Sequence, residues 1–129
     1  MENKWDISAA VAYLTKNALA KSIGKCAKYV RTAIEAGGLS TDGRPASAYQ
    51  YVDFLPKIGF SEINKITGKI KQRDWSLKNA KPGDIAVMKH GKHGHICMWD
   101  GQRWISDFVQ NNMYAYKGEG ECVIFRYNA

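Results

Sequence analysis

Apolar residues recur at helical spacing in the first third of the chain and in extended runs in the last third. Val11, Leu14, Ala18 and Leu19 fall on one stripe behind Ser8, which predicts a helix capped by Ser8 and running to about Leu19. Ser22-Ile23-Gly24 interrupts the pattern. Cys26, Val30, Ala33, Ile34 and Gly37 then predict a second helix from about Lys25 to Ala36, stopped by Gly37-Gly38. Ser47 and Gln50 make a capping box for a short helix that buries Tyr51, Phe54 and Leu55 and ends at Pro56.

Lys81-Pro82-Gly83-Asp84 is turn chemistry, and the pattern beyond it is extended. Strands are predicted over Ile85–Met88, His95–Trp99, Arg103–Asp107 and about Cys122–Tyr127, with Asp100-Gly101 joining the middle pair as a hairpin. Helices first and antiparallel strands afterwards predict an α+β fold with the helices on one face of a sheet.

At 129 residues the chain fits one domain, residues 1–129. Its 45% hydrophobic and 12% aromatic content excludes a disordered or collagen-like polymer. No apolar run approaches the ~18 residues of a membrane span, so membrane insertion is not expected. Met1 to Asp6 lacks a basic start followed by a long apolar stretch, so the expectation is a chain made in the cytoplasm without a signal peptide.

The net charge is +7, and it is concentrated: between Lys57 and Lys92 nine basic side chains face three acidic ones. Such a patch favours an anionic partner, namely nucleic acid, a membrane surface or a cell-wall polymer. Its alternative is a solvated face of Lys57, Lys65, Lys69, Lys71, Lys78 and Lys81. No helix-turn-helix, zinc-finger or RNA-binding signature accompanies it, so nucleic acid is not the expected partner.

The three cysteines differ in context. Cys97 and Cys122 lie in predicted strands as small core residues. If those strands are neighbours, the two thiols could pair in a disulfide worth about 3–4 kcal/mol. Cys26 lies in the first turn of a helix, where orphan N–H groups, the helix dipole and Lys25 favour a thiolate, with a pKa lowered into the range of roughly 3.5–7.5. The alternative is a core thiol beside Val30 and Ile34. A nucleophilic cysteine needs a base, and the base needs an orienting group. Of His90, His93 and His95, only His95 sits inside a predicted strand, sharing a face with Cys97 and Trp99. His-x-x-His-x-His also has zinc-ligand character, but no carboxylate of suitable spacing accompanies it. No metal or cofactor is expected.

Gly24-Lys25-Cys26-Ala27 opening a helix, then Lys81-Pro82-Gly83-Asp84-Ile85, then Gly94-His95-Ile96, resemble the NlpC-like and CHAP cysteine amidases. These are papain-like peptidases of bacterial cell-wall peptide, and the likeness runs over about residues 22 to 110. The small size, the Trp99-Asp100-Gly101 turn and the Trp104-Ile105-Ser106-Asp107-Phe108 segment are similar to the small amidase effectors of type VI secretion systems. The resemblance implies a papain-like core, Cys26 as nucleophile, His95 as base and Asp107 as the third catalytic position. It also implies hydrolysis of peptidoglycan peptide stems near D-glutamate or diaminopimelate, action in a target cell's periplasm, and a cognate immunity protein.

Asp107 raises a question of register. A two-residue Asp100-Gly101 turn pairs Trp99 with Gln102 and turns Asp107 away from His95, whereas a three-residue loop pairs Trp99 with Arg103 and brings Asp107 across from it. Assigning Asp107 to the site therefore predicts a longer loop or a bulge. The Cys26 N–H is the natural oxyanion donor, and Trp99 and Trp104 are candidate groove walls. Other readings are a phage or bacteriocin lysin, a non-catalytic basic binder, and a transglutaminase or deamidase on the same scaffold.

Overall fold

The computed structural model describes residues 5–67, 72–89, 93–110 and 121–128. Helix α1 spans Ile7–Asn17 and buries Ala10 and Leu14; Asp6, not Ser8, is its cap, with the carboxylate accepting from the Ala9 N–H at 3.1 Å. Helix α2 spans Cys26–Ala36, buries Val30, Ala33 and Ile34, and ends as the Gly37 N–H closes on Ala33. The Ser47–Gln50 capping box is present, but it opens a 3₁₀ turn, Ala48–Gln50, followed by α3 (Tyr51–Phe54) and a second 3₁₀ turn, Leu55–Ile58. Pro56 lies inside that last turn, at a position whose N–H has no helical partner to lose. The chain stops instead at Gly59, where φ is +110°.

Five antiparallel strands follow: β1 Phe60–Thr67, β2 Ile85–Met88, β3 His95–Trp99, β4 Trp104–Ile105 and β5 Glu121–Tyr127. Their spatial order is β1-β5-β2-β3-β4. Strand β1 and helix α4 (Gln72–Asn79) were not predicted. The pattern of β1 is broken by a bulge between Glu62 and Asn64, which leaves Ile63 39% exposed between buried Phe60 and Ile66.

Both faces of the sheet are buried, not one. Ile85, Val87, Ile96, Met98, Val123 and Phe125 meet the helices α1, α2 and α3. Ala86, Met88, Cys97, Trp99, Cys122 and Ile124 form a second core on the other face, together with Ile66 and Trp104. The indole N–H of Trp104 donates to Ser76 of α4 at 2.9 Å, and its ring lies 5.2 Å from that of Trp99. The two tryptophans are therefore core residues and wall no groove. Cys97 and Cys122 are not bridged to each other: they lie on strands separated by β2, opposite Ala86 and Met88 respectively. Two interstrand spacings, about 10 Å, exceed the ~7 Å Cα separation that a disulfide spans.

The Pro82-Gly83-Asp84 turn is locked to the last strand. Asp84 is 1% exposed and accepts from the Lys81 N–H at 2.9 Å and from Arg126 through both oxygens, at 2.8 and 2.7 Å. Arg126 also reaches the Asn79 carbonyl. Replacing Arg126 by alanine strands a buried carboxylate and is expected to cost about 2 kcal/mol, allowing for the partial exposure of the arginine. Urea unfolding checks this. Arg126→Lys should recover only part of the loss, because an ammonium lacks the two-pronged geometry.

Candidate active site

Strand β4 is two residues long, so the ladder with β3 stops at Met98 opposite Ile105. Helix α2 packs against β3. Its first residue, Cys26, is half-buried, and the backbone N–H groups of Ile96, Ala27 and Cys26 itself lie against the thiol. Cys26 thus meets the strand at the residue next to His95.

Burial raises the Cys26 pKa above its ordinary 9.0, and the nearby Asp107 charge adds to the shift, while the three N–H groups oppose it. The expected depressed thiolate is therefore not what the structure favours, since loss of solvent outweighs the helix terminus. Burial also pushes the thiols of Cys97 and Cys122 and the Tyr51 phenol upward. The folded chain holds these protons at a pH where the unfolded chain has released them. Stability is therefore full below the ordinary thiol pKa of 9.0 and declines as pH rises beyond it. Thermal melts from pH 7 to 11 are expected to fall on the alkaline side, with a shallower fall in Cys122→Ala.

His95 is 1% exposed, and its Nε2 is hydrogen-bonded at 2.7 Å to Oε1 of Gln110, itself 3% exposed. Gly94 fixes the approach: its φ is +75°, and a Cβ there would stand 2.5 Å from the Met88 carbonyl oxygen and 2.8 Å from the Cβ of Tyr49. His93 is exposed and pairs with Ser47 through Nδ1 at 3.0 Å, and His90 lies outside the described residues. Among the described residues no group of three His, Cys, Asp or Glu side chains could hold a metal. In the basic stretch Lys57, Lys65, Lys78 and Lys81 are exposed, and Lys69, Lys71 and Lys92 lie outside the described residues.

The hairpin loop is longer than two residues, as expected, but Asp107 does not hold the imidazole. Trp99 pairs with Trp104 across a four-residue loop, Asp100–Arg103, closed by the Asp100 carboxylate accepting from the Gln102 and Arg103 N–H groups at 2.7 and 2.6 Å. Four residues keep the parity of two. Asp107 lies beyond that ladder, in the turn that the Ile105–Val109 bridge closes. Fully buried, Asp107 accepts through Oδ2 from the Ile23 N–H at 2.8 Å, the Lys25 N–H at 3.0 Å and Ser22 Oγ at 3.2 Å. Ser106 Oγ donates to its other oxygen. Lys25, the residue before α2, supplies no capping side chain, and Asp107 instead holds the loop that leads into the helix.

The chain then turns back. Ile105 bridges Val109, and the Gln110 N–H donates to the Trp104 carbonyl at 2.9 Å, which brings the Gln110 side chain over His95. An extended reading that stops at Asp107 misses this residue, and the only local signal for it is a polar side chain next to Val109.

No family model and no curated protein matches the chain. Solved structures do. The crystal structure of the type VI native effector–immunity complex Tae3–Tai3 from Ralstonia pickettii matches with a TM-score of 0.75 and 32% identity, over 96% of this chain and 100% of that one. The selenomethionine version of that complex matches with a TM-score of 0.66 and 31% identity, over 88% and 97%. This chain belongs to the Tae3 family of type VI secretion effectors. For this Tae3-family chain the α+β, papain-like architecture stands, with helices packed against an antiparallel sheet. A match over 96% of the chain takes in both the helical half that bears Cys26 and the strand half that bears His95.

Proposed function

We propose that this Tae3-family effector is a peptidoglycan amidase that works through Cys26 and His95. It cuts a peptide-stem amide, either the bond between D-glutamate and diaminopimelate or the crosslink between diaminopimelate and D-alanine. The observation that supports this best is the cysteine at a helix start set against the strand of a buried histidine, whose Nε2 is paired with a side-chain amide oxygen. Acceptance by Gln110 keeps the proton on Nε2, so Nδ1 is the nitrogen that takes the thiol proton. A thiol held neutral by burial needs such a base.

Cys26 Sγ attacks the carbonyl, and the oxyanion is stabilised by the Cys26 N–H at the start of α2. His95 returns its proton to the leaving amine, and water then hydrolyses the thioester with the imidazole again as base. Asp107 acts on this chemistry through the loop it holds. The neighbours' effector–immunity complexes support a cognate immunity protein as partner, and membership in the family supports delivery by secretion and action in the target-cell periplasm. Mass spectrometry of purified peptidoglycan after incubation with the protein tests the activity and identifies the bond.

A further inference from the structure

The fold divides the basic stretch that runs from Lys57 to Lys92. Lys57 and Lys65 go to the β1 side of the sheet, in the second 3₁₀ turn and in β1 itself. Lys78 lies in the last turn of α4 and Lys81 opens the turn into β2, and both are exposed. Two arginines from outside the stretch join them there. Arg126 of β5 donates to the carbonyl of Asn79, the neighbour of Lys78, at 3.1 Å, and to the Asp84 carboxylate, which also accepts the Lys81 N–H. Exposed Arg103 stands in the β3–β4 loop just before Trp104, whose indole donates to Ser76 of α4. That loop also lies against the turn, since a Cβ on Gly101 would stand 3.5 Å from Pro82.

Segments tied together by these contacts therefore carry Lys78, Lys81, Arg103 and Arg126 at one end of the sheet. The described carboxylates among them are taken up. Asp84 is 1% exposed and held by Arg126, and Asp100 accepts from the Gln102 and Arg103 N–H groups of its own loop. Among the described residues no carboxylate pairs with the side chain of Lys78, Lys81 or Arg103. Unpaired cations gathered on one surface project a positive field into solvent. Beside them opens a cleft of about 70 Å³, with Trp5 and Ile7 on one side and Pro82, Arg126 and Tyr127 on the other. It gives the cationic surface an apolar recess.

This surface is remote from the chemistry. Met88, which pairs with His95, lies four residues beyond Asp84, a span of about 13 Å along the strand. Its cations therefore do not act on the reacting atoms. They suit a ligand long enough to be held at one place and cut at another.

We propose that this end of the sheet is a second, non-catalytic binding surface for the cell-wall polymer, with stem carboxylates lying on Lys78, Lys81 and Arg103 while another stem is cut at Cys26. The proposal rests on the amidase reading for the identity of the polymer. The large apolar side chains exposed here, Leu77 and Ile7, sit singly on two different helices. They make no continuous apolar stripe of the kind that enters a bilayer, so a hydrated polyanion is the better match.

The test is co-sedimentation of the full chain carrying Cys26→Ala with purified insoluble peptidoglycan. Adding Lys78→Gln, Lys81→Gln and Arg103→Gln together is expected to weaken binding about tenfold, the scale of three exposed ion pairs. Lys16→Gln, Lys57→Gln and Lys65→Gln remove the same charge from other exposed positions and should cost less than about twofold. All six positions are at the surface, so both variants keep the fold, and a thermal melt verifies it. With Cys26 restored, the Lys78, Lys81 and Arg103 variant should release fragments from insoluble wall about tenfold more slowly. Its kcat on soluble crosslinked stem peptides should stay within about twofold of the unmodified protein.

Equal losses in the two variants, no loss in either, no capture of the parent by the wall, or capture by phosphatidylglycerol vesicles in its place overturns the surface. Capture that depends on these three residues, with neither wall nor peptide cut, sinks the amidase reading alone. A wall that is cut while binding is indifferent to them sinks the surface alone.

Discussion

Cys26→Ala is expected to lower the release of new peptide termini from purified peptidoglycan by at least about 10⁴-fold, the scale seen when a covalent nucleophile is removed. The loss is chemical and not structural. The side chain is half-buried at a helix start, so deleting its sulfur should cost about 1 kcal/mol or less in stability. Circular dichroism and a melting curve should match those of the wild type. New termini that persist in the variant would remove Cys26 from the mechanism. If neither protein changes the wall while both are folded, peptidoglycan is not the substrate, and the exposed Lys57, Lys65, Lys78 and Lys81 become the surface to test with other anions.

Replacing Asp107 by alanine is expected to destabilise the fold by about 2–4 kcal/mol, because it leaves two N–H groups in the loop before α2 without their acceptor. Activity should fall with it, since that loop sets the start of the helix and hence the Cys26 N–H. Gln110→Ala offers the contrast. It removes the partner of Nε2, so it should reduce turnover by about 10- to 100-fold with little change in KM, as expected for loss of a tautomer-fixing contact. Urea denaturation alongside steady-state kinetics separates the two. If Asp107→Ala is stable and slow while Gln110→Ala is unstable and fast, the two roles are reversed.

These contrasting expectations show where local pattern sufficed. Helix α2 was legible from Cys26, Val30, Ala33 and Ile34 at helical spacing and from Gly37-Gly38 behind them, because its core stripe and its stop are both local. Strands β2, β3 and β5 were legible for the same reason, as apolar runs bounded by turn residues. Strand β1 was not, since a single bulge between Glu62 and Asn64 puts Phe60 and Ile66, six residues apart, on opposite faces of the sheet, which breaks the two-residue alternation. The disulfide failed on topology: β5 returns to pair with β2, not β3, so Cys97 and Cys122 stand two strands apart.

The sequence by itself determined the chemistry on offer, namely a cysteine at a helix start, a histidine in a strand, and the order in which the chain presents them. Periodicity and turn chemistry act over a few residues, and both placements are of that kind. The tertiary structure decided what each partner does. The turn that Ile105 and Val109 close holds Asp107 against the loop before α2 and carries Gln110 to His95. It also decided the protonation of Cys26, because burial is a property of the whole packing and here outweighs the helix terminus. Side-chain parity alternates with every residue of a loop, so no local pattern can say which of two nearby polar residues faces the imidazole.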